Sequence, residues 1–260
     1  MRLLRHLVLL IGLAAAIVAP AAGADLRIAA ASDLRYALDE LLPGFRAAHP
    51  GRRIEVIYGA SGKLATQIRH GAPFDVFLSA DIAFPRALVD DGFAAGPVRR
   101  YGVGRLVLWS RDAALAATPL AELPRAAGLR PVARATPRHA PYGQRAAEAL
   151  RHAGAWEPLQ GRLVLGDNIA QAAQFVDSGA ADAGLIALSI VLAPGLAGRG
   201  HWALIPAGWH APLEQGHVIT AHGAGKALAA AFVAHLDTPA AQALMRRYGF
   251  DTDEGRDPPR

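Results

Sequence analysis

The sequence predicts an α/β protein of two lobes. Each lobe reads as a mostly parallel sheet flanked by helices, with a ligand cleft between the two. Three observations predict this. Short apolar runs alternate with segments of helical period, the junctions between them carry Ser, Gly and Asn, and a late strand returns the chain to its first unit. The chain has 260 residues, 52% of them hydrophobic and 19% charged. That is long enough to bury a core and too apolar for a disordered chain. It contains no cysteine, which excludes disulfides, thiolate zinc sites, iron–sulfur clusters and a cysteine nucleophile.

The first two dozen residues read as an export signal. Arg2, Arg5 and His6 precede an uncharged apolar run over residues 7–18, a break at Pro20, and the small residues Ala22, Gly23 and Ala24. The run is shorter than the ~20 residues a membrane-spanning helix needs, so a cleaved secretory signal over residues 1–24 is favoured over an uncleaved anchor. No twin-arginine pair is present, so ordinary Sec export is expected, and the mature chain, starting at Asp25, belongs in a periplasm. The net charge is +5, carried almost wholly by arginine, since Lys63 and Lys226 are the only lysines. No basic run exceeds two residues, which gives no nucleic-acid groove.

The elements follow in order. Residues 26–31 are an apolar strand. After Ser32, apolar Leu34, Ala37, Leu38, Leu41, Leu42 and Phe45 share one helical face, and Pro43-Gly44 is expected to kink or break that helix. Residues 54–58 form a strand, 59–62 a turn, 63–70 a helix, 76–78 a strand and 83–91 a helix. The strand at 106–109 leaves the first unit. A second set follows: strand 131–133, helix 144–152, strand 163–165, helix 169–178 and strand 183–188. Residues 215–221 return as a strand, and helices 224–235 and 239–248 pack on the first unit. The expected division is lobe I at 25–104, lobe II at 105–212, a return to lobe I at 213–251 and a frayed tail at 252–260.

Candidate chemistry sits at four strand-to-helix junctions: Ala31-Ser32-Asp33, Ala60-Ser61-Gly62, Pro141-Tyr142-Gly143 and Asp167-Asn168-Ile169. Open α/β sheets bind ligands beyond the carboxyl ends of their strands. Helix N-termini offer unpaired N–H groups and a positive dipole end, which suits an anion. Two junctions come from each lobe, so a ligand in the cleft would be gripped from both sides. Taken singly, Ser32 and Ser61 read first as helix caps. Enzyme motifs fail letter by letter. Gly59-Ala60-Ser61-Gly62-Lys63 ends in Lys where a nucleophile elbow needs Gly, and Ile57 and Leu64 break a phosphate-binding loop. Gly102-Val103-Gly104 lacks the third glycine of a dinucleotide fingerprint, and no H-E-x-x-H occurs. Asp75 and Asp81 flank a strand and read as capping or turn residues. A secreted serine hydrolase using Ser32 or Ser61 with His139 is kept as an alternative from another class.

Longer strings carry a resemblance. Residues 29–34 (AAASDL), 59–68 (GASGKLATQI), 71–81 (GAPFDVFLSAD), 139–143 (HAPYG), 166–169 (GDNI), 183–189 (AGLIALS) and 247–250 (RYGF) resemble, in order, the periplasmic molybdate-binding proteins of ABC importers. The resemblance implies a two-lobed periplasmic binding protein fold and a tetrahedral oxyanion, molybdate or tungstate, held by neutral donors. Ser32 and Ser61 would each give a hydroxyl and an N–H, while Asp33, Tyr142 and Ile169 would give N–H groups. Some members place a Tyr where Ala187 stands; others use the Tyr of the Pro-Tyr-Gly turn, so Tyr142 would supply that hydroxyl. The Asp33 side chain is expected to serve the helix start, and Lys63 to face solvent. The resemblance further implies a monomer without cofactor or catalysis that delivers its ion to an inner-membrane permease–ATPase complex. The same fold serving sulfate or another small anion is the nearer alternative. About seven hydrogen bonds to a charged group, at ~1.5–3 kcal/mol each, would outweigh desolvation and closure.

Overall fold

The computed structural model describes residues 23–252. The expected export signal and frayed tail therefore lie almost entirely outside the described residues. The two-lobed α/β architecture is the one found.

The first sheet is built from β1 (Leu26–Ala31), β2 (Ile54–Gly59), β3 (Val76–Ser79) and β4 (Ala94–Gly104), with α1 (Arg35–Ala48), α2 (Ser61–Arg69) and α3 (Ala83–Asp90) between them. The second comprises β5 (Leu106–Ser110), β6 (Val132–Ala135), β7 (Leu163–Gly166), β8 (Ala183–Ala187) and β9 (His201–Leu204). Its helices are α4 (Ala113–Ala117), α5 (Pro141–His152), α6 (Trp156–Leu159), α7 (Ile169–Asp177) and α8 (Leu188–Val191). The chain then returns through β10 (Leu213–Thr220), α9 (Ala227–Leu236) and α10 (Pro239–Arg247).

The strand orders are β2-β1-β3-β10-β4 and β7-β6-β8-β5-β9. The two follow one pattern. Three parallel strands in the order second, first, third are joined by an antiparallel strand that enters at a crossing between lobes. The first crossing is tight, with only Arg105 between β4 and β5. Because β1, β2 and β3 are parallel, and β6, β7 and β8 likewise, each set ends on one edge of its sheet, and residues that follow β1, β2, β3, β6 and β7 meet between the lobes.

Strand and helix formation follow the sequence pattern closely. β1, β3, β5 and β8 are buried nearly throughout, as strands covered on both faces must be. In α1 the buried residues are Ala37, Leu38, Leu41, Leu42 and Phe45, the apolar face expected. Contrary to expectation, Pro43 does not end α1, which runs on to Ala48. Pro43 and Gly44 are exposed, so the carbonyl freed by the missing N–H faces water, while Leu42 and Phe45 anchor the turns on either side. The 11-residue β4 was not anticipated. Its exposed, Gly- and Arg-containing sequence alternates poorly, and it is held instead by pairing along β10. α5 begins at Pro141 rather than after Gly143, since proline suits the first helical position.

Phe45 packs edge-on against Phe232 of α9, with centroids 5.3 Å apart, so the return segment is fixed to α1 by an aromatic pair. Phe45→Ala should lower unfolding stability by ~3–5 kcal/mol in urea titrations, without changing which solutes bind in the cleft.

Candidate anion-binding site between the lobes

Ser32, Asp33, Ser61, Tyr142 and Ile169 all line one small cavity where the lobes meet, together with Ala31, Gly59, Ala60, Ala80, Ala140 and Pro141. The structure thus brings together all five residues singled out from the sequence. The cavity measures about 10 Å3, far below the several hundred Å3 of an organic-ligand pocket. No Lys, Arg or His lines it.

Local structure explains the donors. α2 begins at Ser61 after Ala60 in extended conformation, so the Ser61 amide has no acceptor within the helix. The Ser61 hydroxyl oxygen accepts from the Ala80 amide at 3.0 Å, which fixes the rotamer and leaves its own proton to donate. Ala80, at the end of β3, was missed from the sequence, because a backbone amide leaves no residue-type signal. In α5, Pro141 has no N–H, so the first amide of that helix belongs to Tyr142. In α7, the Asn168 side chain caps the Gln171 amide at 3.0 Å, which leaves the Ile169 amide at the helix start unbonded within α7. Ser32 and Asp33 lie in a single 3-10 turn directly after β1.

Behind the cavity is a buried polar network. Gln215 of β10 donates from Nε2 to Asp33 Oδ2 (2.7 Å) and to the Tyr142 hydroxyl (3.2 Å). The Tyr101 hydroxyl donates to Gln215 Oε1 at 2.7 Å and lies 3.0 Å from the Ser79 carbonyl. The Asp33 carboxyl, expected at the helix start, is therefore bonded to the returning strand. Burial pushes its pKa up to about 6, against the pull of Gln215 and Tyr142. Burial likewise raises the Tyr101 and Tyr142 hydroxyls well above their ordinary value, so both stay neutral. Gly104 makes room for this network, because a Cβ there would sit 2.2 Å from the Tyr142 hydroxyl and 2.5 Å from Gln215 Nε2. Gln215 stands beside Glu214 and His217 in a strand of mixed polarity, so residue type alone gave no signal for it. Ala187, where some members of the resembled family carry Tyr, caps the start of α8 and does not line the cavity.

The lobes are in contact around the cavity. The Gly62 amide donates to the His139 carbonyl at 2.9 Å, and a Cβ on Gly62 would fall 3.0 Å from His139. The Ser189 hydroxyl donates to the Asp33 carbonyl at 2.8 Å. Lys63, expected to face solvent, reaches across to both Asp167 carboxylate oxygens at 2.5 and 2.6 Å. Arg145 of α5 reaches Asp81 at 3.3 Å. The His139 ring lies 3.1 Å from the Asp167 carbonyl and is bonded to neither serine, which leaves the hydrolase reading without its nucleophile–base contact. Asp81 accepts from the Ala83 amide at 2.9 Å. Fully buried Asp75 accepts from the Arg27 amide, His222 and Lys226. Both carboxylates are tied into the fold.

The fold and this small cavity, with no cationic side chain in its wall, define a two-lobed binding protein for a small anion. Comparisons with known proteins agree. Residues 26–251 match the family of bacterial extracellular solute-binding proteins, and the chain belongs to that family. It is 38% identical over 235 residues to the molybdate-binding protein ModA of Rhodobacter capsulatus, covering 90% of this chain and 91% of that one. It is 35% identical to ModA of Azotobacter vinelandii, covering 93% and 96%. The solved periplasmic molybdate-binding protein of Azotobacter vinelandii superposes with a TM-score of 0.81 at 32% identity, over 88% of this chain and all of that one. A sulfate-binding protein of Mycobacterium tuberculosis, at 16% identity and a TM-score of 0.70, shares the fold.

Because Asp33 has a pKa of about 6 when folded, against 3.8 ordinarily, the folded protein holds that proton more tightly than the unfolded chain. Its stabilising contribution is present at low pH and is lost as the pH rises from about 4 through 6. Asp33→Asn should therefore gain stability relative to the wild type between pH 4 and pH 7, by ~2–3 kcal/mol in urea midpoints.

Proposed function

We propose that this chain captures molybdate, and tungstate alike, in the cleft between its lobes and delivers the ion to an ABC importer. It is a carrier and not an enzyme, and the ion is its cargo; no cofactor is required. The observation that carries this reading is the convergence of Ser32, Ser61, Tyr142 and Ile169, two from each lobe, on one small cavity with no cationic side chain in its wall. Kinship with molybdate-binding proteins over nine-tenths of the chain supports the choice of ion.

In this reading the amides and hydroxyls of Ser32 and Ser61, with the amides of Asp33, Tyr142 and Ile169, hydrogen-bond the ion's oxygens. The tetrahedral dianion has acceptors on every side, so donors must arrive from both lobes and binding requires closure. Tyr142 turns its hydroxyl toward Gln215, so its amide is the donor assigned to the ion. Sulfate is also a tetrahedral dianion, and exclusion then rests on fit to the cavity rather than on charge. Residues 25–104 and 213–251 act as one lobe and 105–212 as the other. Residues 1–24 direct the chain to the periplasm and are removed, and the mature protein works as a monomer that docks on an inner-membrane permease–ATPase complex.

Calorimetric titration tests this directly. Molybdate and tungstate should bind and sulfate should bind far more weakly; at a hundredfold excess over Kd, molybdate should add ~2.7 kcal/mol to stability. Ser61→Ala should weaken molybdate binding by ~10- to 100-fold, one charge-assisted hydrogen bond, while the protein stays folded. Equal affinity for sulfate, or unchanged affinity in Ser61→Ala, would count against this site.

A further inference from the structure

Asp33 is the one charged residue in the cavity wall. It is 1% exposed. Oδ2 accepts from Gln215, but Oδ1 is buried with no hydrogen-bond partner. Gln215 and Tyr142 favour its charged form only through neutral hydrogen bonds, and no cationic side chain lines the cavity beside it. The side chains packed on it are Gln215 from β10, Tyr142 from α5 and Tyr101 behind Gln215 from β4, all neutral, and Ser189 from α8 donates to its backbone carbonyl. The charged groups nearby are engaged elsewhere. Lys63 and His139 are bonded to Asp167 at the cavity mouth, and Arg145 to Asp81 and Glu148. Arg35 lies over the Tyr58 ring. His217, stacked on Tyr101, is pushed down to about 4 by its own burial and is neutral near pH 7.

An ionised Asp33 would face a dianion across a cage from which water is excluded. Like charges in such a site cannot all persist; the group able to take a proton takes one. We propose that Asp33 takes up one proton from solvent, at Oδ1, each time the lobes close on the dianion, so that capture of the ion is coupled to proton uptake. The inference rests on the anion-capture reading above. The reaction balances simply: carboxylate, dianion and proton become a carboxylic acid beside the same dianion, and the cage holds two negative charges instead of three. The uptake converts a repelling neighbour into an O–H donor, a further neutral hydrogen on the site. The upward shift of Asp33 even without an ion points the same way.

The consequence is measurable. Molybdate affinity should fall as the pH rises above about 6, approaching tenfold per unit where uptake is complete. Titrating molybdate at pH 7.5 in buffers of different ionisation enthalpy counts the protons. The wild type should take up close to one per ion, His139→Gln should do the same, and Asp33→Asn should take up almost none and lose the pH slope. Binding by the wild type without proton uptake overturns the proposal, as does uptake that persists in Asp33→Asn. The wild-type count stands alone if Asp33→Asn does not fold. A wild type that binds neither molybdate nor tungstate at any pH overturns the capture reading itself, and this inference with it, and is distinct from binding without protons.

Discussion

The proposed capture of a doubly charged ion in a cavity with no cationic side chain in its wall is the constraint to which the rest of the structure answers. A Lys or Arg can satisfy an anion from one direction through a single flexible stem. Amides and hydroxyls cannot; each contributes one short, directed hydrogen bond, and many must be aimed at one point. Fixed backbone does this well, because the first amides of a helix are unpaired and their direction is set by the helix axis. One sheet presents such helix starts over only part of a sphere. Two sheets facing each other can surround it, and that is the arrangement found: β1, β2 and β3 deliver Ser32, Ser61 and the Ala80 amide that orients Ser61, while β6 and β7 lead to Tyr142 and Ile169.

The second consequence is that the two lobes share their interior wiring. Gln215 lies on the strand that returns from lobe II, and its one amide group touches Asp33 of the first turn and Tyr142 of the opposite lobe. Gly104, the last residue before the first crossing, has no side chain because the Tyr142 hydroxyl fills that space. Both crossings thus abut the residues that line the cavity, so a change in lobe angle alters the surroundings of Asp33 and Tyr142 directly. The Lys63–Asp167 pair is of a different kind. It is half exposed on both sides, so it adds little to stability.

Most of the architecture was legible because it rests on periodicity and on junction chemistry. The apolar face of α1, the buried strands and the alternation of β with α are written in residue type, and Ser32, Ser61, Tyr142 and Ile169 stand at recognisable strand-to-helix turns. What was not legible depends on partners distant in sequence. β4 is held by its long pairing with β10 rather than by its own pattern. Pro43 is tolerated because its carbonyl partner is on the wet side of α1, which no local rule reveals. Lys63 and Asp167 are 104 residues apart, and the bond from Gln215 to Asp33 spans 182. Side-chain direction at such sites is decided by the tertiary fold, so the bond from Gln215 to the Asp33 carboxyl left no trace in the local pattern.

The strand order has a bearing on how the polypeptide acquires its shape. The second sheet uses only residues 106–204, one uninterrupted stretch, and is complete as soon as β9 exists. The first sheet begins at residue 26 yet needs β10 in its interior, between β3 and β4. Until residues 213–220 emerge, β4 has no partner and β3 has a bare side. The later half of the chain can therefore consolidate first, and the N-terminal half must wait for a segment nearly two hundred residues downstream. Long-range closures of this kind are slow, so the sheet that opens the chain is the later of the two to be completed.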